Sequence, residues 1–255
     1  MSPSAALEVN DVTMAFSGLY ALTRVSLSVG PHEILGLIGP NGSGKTTLLN
    51  CVSGVYHPTS GQIALNGRDI THAPSDLIAE QGLRRTFQQS LLVPDLTVLE
   101  NVLVGAHGSI RGNLLSAAFT LWDLRTAERS ARGKALAALK WLGIDGLASV
   151  RAESVGGPAR KLVELARAIV AEPRVLLLDE VASGLNSAEK EMLALRVREI
   201  RDRFDAAIVL VEHDLDFVMS LAERVVVLNS GQVIADGDPA LVQRNPEVID
   251  AYIGV

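Results

Sequence analysis

The chain has 255 residues, of which 48% are hydrophobic and 20% charged, and its formal net charge is −6. This composition predicts a folded globular protein and excludes an intrinsically disordered one, while the acidic balance gives no support to a nucleic-acid partner. Cys51 is the only cysteine, which excludes an intrachain disulfide framework and a metal site built from several cysteines.

The apolar stretches of the sequence are all short. None approaches the roughly eighteen residues that are needed to span a bilayer, and the N-terminus lacks the charged-then-apolar pattern of a signal peptide. We therefore expect a cytoplasmic chain, which agrees with a peripheral subunit attached to a membrane partner.

Strand patterns open the chain. Residues 7–14 are strand-like, and residues 22–29 alternate apolar and polar side chains with a period of two. The two segments predict an antiparallel sheet. Further along, residues 62–65 predict another strand, and Asn66-Gly67 predicts a hairpin turn after it.

A glycine-rich segment follows the apolar residues 34–38 and precedes a predicted helix. It reads Gly39, Pro40, Asn41, Gly42, Ser43, Gly44, Lys45, Thr46 and Thr47. The pattern G-x-x-x-x-G-K-[ST] between a strand and a helix predicts a P-loop; an ordinary glycine-rich turn would explain the glycines but does not require lysine and then threonine. We expect backbone N–H groups to bind phosphates, Lys45 to reach the β- and γ-phosphates, and Thr46 to place its hydroxyl on Mg²⁺. ATP and Mg²⁺ are the expected cofactors.

Phe16 lies upstream of the P-loop and has two interpretations. Aromatic side chains belong to the core by default. An aromatic residue just before a P-loop strand can instead stack on an adenine ring.

The middle of the chain predicts helices. Thr97 and Glu100 form a capping-box pattern at the start of one of them. Residues from about 98 to 172 show no clear strand, and strand and helix alternate again after Pro173. We therefore predict an α/β nucleotide-binding core with an antiparallel β subdomain, in residues 1–97 and 173–255, interrupted by a helical subdomain in residues 98–172.

Acidic residues end a buried strand in the last third of the chain. The apolar residues 175–178 run into Asp179 and Glu180, where an ionised carboxylate is costly unless it has a role. Beside a P-loop, Asp179 would hold Mg²⁺ and Glu180 would polarise the attacking water; the alternative is a strand that emerges into solvent. The predicted strand 207–211 ends near His213, which could bond the γ-phosphate or be a structural residue. Ser187 is predicted to cap the intervening helix, which reaches about residue 204.

In their order, these features resemble the ATP-binding subunits of ABC transporters over nearly the whole chain. By that resemblance Gln88 is the Q-loop glutamine that senses Mg²⁺ and the membrane partner, and His213 is the switch histidine. Residues 183–186, with Ser183 and Asn186, form the D-loop. Phe16 takes the place of the adenine-stacking aromatic. Residues 16–19, 85–88, 211–218 and 249–254 look most like the larger ATPase subunit of the branched-chain amino acid uptake group.

The signature segment departs from the family pattern Leu-Ser-Gly-Gly-Gln. Ungapped alignment puts Gly156 in place of the serine and Pro158, which has no N–H, in place of the second glycine. A shift by one residue restores Ser154 as the serine and keeps Gly156 and Gly157 nearby, but then Pro158 replaces the glutamine. In either register the signature is degenerate.

The resemblance implies an ATPase that energises an importer of branched-chain amino acids or similar small polar solutes. It implies permease subunits, a second ATP-binding subunit and, indirectly, an extracytoplasmic solute-binding protein as partners, with this chain on the inner face of the membrane. Since each nucleotide would lie between one subunit's P-loop and the other's signature, the degenerate signature favours a heterodimer over a homodimer. The alternatives are an ATP-gated regulatory module with little turnover and the ATPase of a related exporter.

Overall fold

A computed structural model of the protein describes residues 5–86, 92–106 and 121–253. Its strands in chain order are β1 (Leu7–Phe16), β2 (Leu19–Val29), β3 (Ile34–Ile38), β4 (Ser60–Leu65), β5 (Arg68–Asp69), β6 (Leu83–Arg85), β7 (Val175–Asp179), β8 (Ala207–Val211), β9 (Arg224–Asn229) and β10 (Gln232–Gly237). Its helices are α1 (Lys45–Val52), α2 (Ser75–Glu80), α3 (Val98–Ala106), α4 (Leu121–Trp141), α5 (Gly157–Ile169), α6 (Ser187–Phe204), α7 (Leu215–Leu221), α8 (Pro239–Val242) and α9 (Pro246–Ile253).

These strands form two sheets. The smaller sheet has the order β2-β1-β4-β5 and is antiparallel, which confirms the sheet predicted for the start of the chain. The larger has the order β10-β9-β3-β8-β7-β6, in which only β10 runs antiparallel to its neighbour. In the hairpin between β4 and β5, Asn66 and Gly67 both have positive φ, as the predicted turn requires.

The core lies on both faces of the larger sheet. Strands β3, β7 and β8 are buried along their whole length, as expected for central parallel strands. Side chains of β3 alternate between the faces: Leu35 and Leu37 pack with α1 and the smaller sheet, whereas Ile34 and Ile38 pack with the helices on the other side. This alternation places the smaller sheet and the helical region on opposite sides of one central sheet.

The predicted helix starts are confirmed for α3 and corrected for α6. The Thr97 N–H donates to Glu100 Oε2 at 2.8 Å and the Glu100 N–H to Thr97 Oγ1 at 3.2 Å, so the capping box is formed. Before α6 the cap is Asn186, not Ser187, because the Asn186 side chain accepts from the Glu189 N–H and the Glu189 carboxylate accepts from the Asn186 N–H. Ser187 is the first helical residue.

The described part of residues 98–172 contains α3, α4 and α5, with two short 3-10 turns between α4 and α5. Within that part, β structure is limited to one isolated bridge between Thr97 and Arg151. The division of the chain into a core and a helical subdomain stays a prediction. Residues 83–85 form β6, whereas residues 87–91 lie outside the described ranges.

Candidate nucleotide-binding site

The glycine-rich segment joins β3 to α1 at the carboxyl edge of the larger sheet. Gly39 has φ +148°, and a Cβ there would lie 2.0 Å from the Leu228 carbonyl oxygen, so only glycine fits. Gly44 caps α1 with φ +106°, and a Cβ there would lie 2.8 Å from the Ala21 carbonyl oxygen. The two glycines let the loop pass close to neighbouring backbone and turn into the N-terminus of α1, where free N–H groups favour an anion.

Lys45 folds back into this loop. Its Nζ donates to the carbonyl oxygens of Gly39 at 2.7 Å and Pro40 at 3.0 Å, and approaches Ser43 Oγ at 3.4 Å. Burial lowers the pKa of Lys45, while the nearby carboxylates of Glu180 and Asp179 oppose that shift. The ammonium group is therefore held by weak neutral acceptors in a partly desolvated position, where an anionic phosphate would be a stronger partner.

An open cleft of about 250 Å³ lies over the loop. It brings together most of the predicted P-loop residues with Glu180 and His213. The lining residues are Ala21, Asn41, Gly42, Ser43, Gly44, Lys45, Thr46, Thr47, Glu180, Val211 and His213. Residues far apart in sequence meet here because β3, β7 and β8 are adjacent and parallel, so their carboxyl ends share one edge.

Glu180 and His213 form a pair on the wall of the cleft. His213 Nε2 lies 2.9 Å from Glu180 Oε1, with the histidine side chain half exposed and the glutamate largely buried. Glu180 has φ +53°, a left-handed conformation that costs about 1 kcal/mol in a non-glycine residue and that clusters at functional sites. Its N–H donates to the Val211 carbonyl oxygen at 2.9 Å, and its carbonyl oxygen accepts from Lys161 Nζ at 3.1 Å. These backbone contacts hold Glu180 at the end of β7, where its carboxylate meets His213.

Asp179 forms a buried ion pair that sequence reasoning missed. Its Oδ2 accepts from Arg85 Nη2 at 2.8 Å, with the two side chains 2% and 5% exposed. Arg85 Nη1 also donates to Asn50 Oδ1 at 2.7 Å and approaches Ser53 Oγ at 3.3 Å, near the end of α1. The sequence shows Arg85 as a basic residue far from Asp179 in the chain. Only the pairing of β6 with β7 shows that it lies beside the acidic end of β7.

The residues around the cleft fit a magnesium ion. Thr46 is exposed in the cleft, whereas Asp179 is buried and paired with Arg85, close enough to Lys45 to oppose the lowering of its pKa. Hydroxyl and carboxylate oxygens are the hard ligands that Mg²⁺ prefers, and Mg²⁺ is commonly held by one or two of them together with phosphate oxygens. In the described ranges no group of three His, Cys, Asp or Glu residues is arranged to hold a metal ion by itself.

Among the described residues predicted for the nucleotide site, Phe16, Gly39, Pro40 and Asp179 do not line the cleft. Phe16 ends β1 and is 40% exposed, with its ring edge-on to Tyr56 at a centroid distance of 5.2 Å; it is not among the residues described as lining the cleft. Its adenine-stacking role stays a prediction. Gln88 lies outside the described residues, so its role as Q-loop glutamine also stays a prediction.

The signature segment forms the exposed start of α5. Gly156 is the N-cap residue with no side-chain hydrogen bond, Gly157 is the first helical residue and Pro158 the second, while Ser154 ends a 3-10 turn. The Gly156 N-cap is where a serine hydroxyl would ordinarily satisfy the free N–H groups. Ser183, which is predicted to belong to the D-loop, is exposed in the turn that leads to the Asn186 cap.

Two further residues, which the sequence analysis did not single out, contact the site. Glu212 is 3% exposed, and its Oε1 accepts from the Ala182 N–H at 2.6 Å. Tyr252 in α9 lies near the Gly39 backbone N–H, which lowers the pKa of its hydroxyl, although burial, the larger effect, raises it. Both residues lie in segments noted only as family markers, and only the tertiary structure shows what they contact.

Among the described helices, none is both long and apolar enough to cross a bilayer.

Comparison of the sequence with protein families gives two matches. The profile described as ABC transporter matches residues 22–183, and that of the branched-chain amino acid ATP-binding cassette transporter matches residues 232–255. The chain is 39% identical over 97% of both chains to the high-affinity branched-chain amino acid transport ATP-binding proteins BraF of Pseudomonas aeruginosa and LivG of Escherichia coli. A probable branched-chain amino acid transport ATP-binding protein of Archaeoglobus fulgidus is 34% identical.

Solved structures of ABC transporter cassettes have a fold similar to that of this chain. A nucleotide-free ATP-binding cassette from an ABC transporter superposes with a TM-score of 0.86 at 29% identity, covering 98% of this chain and 100% of that one. A bacterial ABC transporter cassette solved as a dimer gives a TM-score of 0.77 at 25% identity, covering 91% and 98% of the two chains. The P-loop, the acidic strand end and these matches lead to one conclusion: the chain belongs to the ABC transporter family, as an ATP-binding cassette.

Proposed function

We propose that this chain is the ATP-hydrolysing subunit of an importer for branched-chain amino acids or similar small polar solutes. The observation that carries the hydrolytic part is the pair of Glu180 and His213 on the wall of the P-loop cleft, 2.9 Å apart. A nucleotide-gated module with little turnover would not need a carboxylate there, and its position beside the phosphate-binding loop suits activation of a water molecule.

The residues of the cleft have separate roles in this proposal. Backbone N–H groups from Asn41 to Thr46 bind the phosphates at the N-terminus of α1, and Lys45 exchanges its carbonyl partners for a phosphate oxygen. Glu180 takes the proton of the attacking water, while His213 orients the carboxylate and contacts the γ-phosphate. Thr46 and Asp179 hold Mg²⁺, which when bound supplies neutralising charge on the phosphates.

The substrate class rests on the relatives. The 39% identity spans almost all of both chains, and the C-terminal match covers residues 232–255, which include α9. Since a cassette has no contact with the transported solute, the proposal assigns the solute through the permeases that this cassette would drive. An exporter of related sequence is the second candidate within the transporter class.

We propose a membrane-bound assembly of this chain with permease subunits and a second ATP-binding subunit, fed by a solute-binding protein. The signature supports a heterodimer, because Gly156 occupies the N-cap of α5 without a side-chain acceptor and Pro158 removes one N–H from its first turn. A partner with an intact signature would complete the site at this chain's P-loop. The other site would be impaired.

The test of function is ATP hydrolysis and solute uptake by the assembled complex in proteoliposomes. We expect ATP-dependent uptake of radiolabelled leucine, and Glu180→Gln should lower hydrolysis at least about a hundredfold with unchanged ATP binding. Ser187→Ala, at the start of α6 and outside the described cleft lining, is the matched control. ATP binding without hydrolysis by the wild type would support the gated module, and ATP-dependent efflux the exporter.

The dimer is tested by light scattering on Glu180→Gln protein with and without Mg-ATP, since this change should trap a closed dimer. We expect a monomer that binds ATP, because the signature around Gly156 and Gly157 is degenerate. An ATP-driven shift to a dimer would show that the signature works and would favour a homodimer. Retention of most hydrolysis by a complex that carries Glu180→Gln in this chain alone would refute the single competent site.

A further inference from the structure

Glu212 is a buried acid with no role in the mechanism above. It follows the five buried residues of β8 and is itself 3% exposed. An acid in such a position is costly unless a donor compensates it. Its compensating contact is specific: Oε1 accepts from the Ala182 N–H at 2.6 Å.

That contact reaches the turn that carries Glu180. Ala182 is 1% exposed and lies two residues after Glu180, just before the D-loop residue Ser183. His213, the neighbour of Glu212, contacts the Glu180 side chain at 2.9 Å. The end of β8 therefore contacts the same turn at three points: the Val211 carbonyl oxygen accepts from the Glu180 N–H, His213 contacts the Glu180 side chain, and Glu212 accepts from the Ala182 N–H.

We propose that Glu212 is a positioning residue for ATP hydrolysis, which fixes the turn from Glu180 to Ser183 by accepting the Ala182 N–H. His213 contacts the carboxylate of Glu180, and Val211 and Lys161 hold the Glu180 backbone, but none of these contacts reaches the Ala182 N–H. The Glu212 contact restrains the backbone at Ala182 and so helps to keep Glu180 over the cleft. It also ties the segment that contains the switch histidine to the segment that leads into the D-loop.

The hydrogen bond from the Ala182 N–H requires an acceptor oxygen and does not require a charge, because a neutral carboxyl or amide also has a carbonyl oxygen. Glutamine at this position preserves the acceptor. Methionine has a similar length and suits a buried site but offers only a weak acceptor. The two substitutions therefore separate the hydrogen bond from the volume of the side chain.

The inference rests on the proposed hydrolytic function, so its test has one readout that does not require hydrolysis. Amide hydrogen exchange of Ala182 is measured by mass spectrometry on the full chain. We expect Glu212→Met to exchange at least about tenfold faster at Ala182 than the wild type, and Glu212→Gln to stay within about threefold. Asp216→Asn, an exposed acid in the same segment, is the control.

The second readout is steady-state ATP hydrolysis by the assembled complex. Glu212→Met should lower kcat at least about tenfold with KM for Mg-ATP within about threefold, and Glu212→Gln should restore most of kcat. Should the methionine variant not fold, Glu212→Asp tests the same point, because the shorter side chain withdraws the oxygen from Ala182. Unchanged Ala182 exchange in that variant overturns the inference, as does equal loss of kcat in the glutamine and methionine variants. A wild-type complex without hydrolysis refutes the proposed function instead.

Discussion

Replacing Glu212 by glutamine is expected to change how the stability of the protein depends on pH. Burial, the largest cause, raises the pKa of this carboxyl from 4.5 to about 7, against the opposing effect of hydrogen bonds from backbone N–H groups of Ala182 and His213. The charge of Glu180 adds to the rise. Because the folded pKa exceeds the unfolded one, the stabilising contribution is fully present below pH 4.5 and is lost as the pH rises through about 7.

The size of the effect follows from the two pKa values. The difference between 4.5 and about 7 corresponds to about 3.4 kcal/mol of folding free energy. About 2.5 kcal/mol of this is lost between about pH 5 and pH 8, where the folded carboxyl is still largely protonated at the start and ionised at the end. With 3% exposure of the residue, solvent screening of this effect is small.

The assay is urea denaturation of the wild type and of Glu212→Gln across that pH range. The free energy of unfolding of the variant, relative to that of the wild type, should rise by about 2.5 kcal/mol from the acidic to the alkaline end, because the amide does not ionise. Asp216→Asn, which replaces an exposed acid four residues away, is the control variant. A variant that follows the wild-type pH dependence throughout would refute the reasoning.

Three further predictions concern other parts of the chain. Arg85→Met should lower the free energy of unfolding by about 3–5 kcal/mol in urea denaturation, because it leaves a carboxylate 2% exposed without its partner; a loss below about 1 kcal/mol would contradict this. Gly105→Ala should destabilise by at least about 1 kcal/mol, since its Cβ would lie 2.0 Å from the Arg167 carbonyl oxygen, whereas exposed Gly133→Ala, with open space around it, should stabilise α4 in thermal melts. Lys45→Ala should weaken binding of a fluorescent ATP analogue at least about tenfold with the fold intact by circular dichroism, and unchanged affinity would exclude the proposed phosphate contact.

Much of the site could be predicted from the sequence, because the residues that define each motif are close together in the chain. A P-loop needs glycines, a lysine and a threonine in one short segment, and Gly39 to Thr46 form it where β3 meets α1. The acids at the end of β7 stood out because ionised groups seldom end a buried apolar run without a role. These patterns were also specific enough to indicate the ABC transporter family, which the comparisons then confirmed.

The sequence pattern predicted the wrong cap for α6, because two neighbouring residues were both suitable and only the hydrogen-bond geometry decides between them. Ser187 and Asn186 are both good helix caps, and the structure selects Asn186 because its side chain meets the Glu189 N–H. For Phe16 the structure shows a T-shaped contact with Tyr56, and its role as the adenine-stacking aromatic stays a prediction.

The sequence by itself determined the class of fold, the phosphate-binding loop and the acids beside it, since each depends on residues that are adjacent in the chain. Only the tertiary structure showed that Arg85 forms an ion pair with Asp179, that His213 contacts Glu180, and that Glu212 accepts a hydrogen bond from Ala182. Each of these contacts joins strands or turns that are neighbours in the sheet but dozens of residues apart in sequence, and the parallel order of β6, β7 and β8 decides which side chains meet.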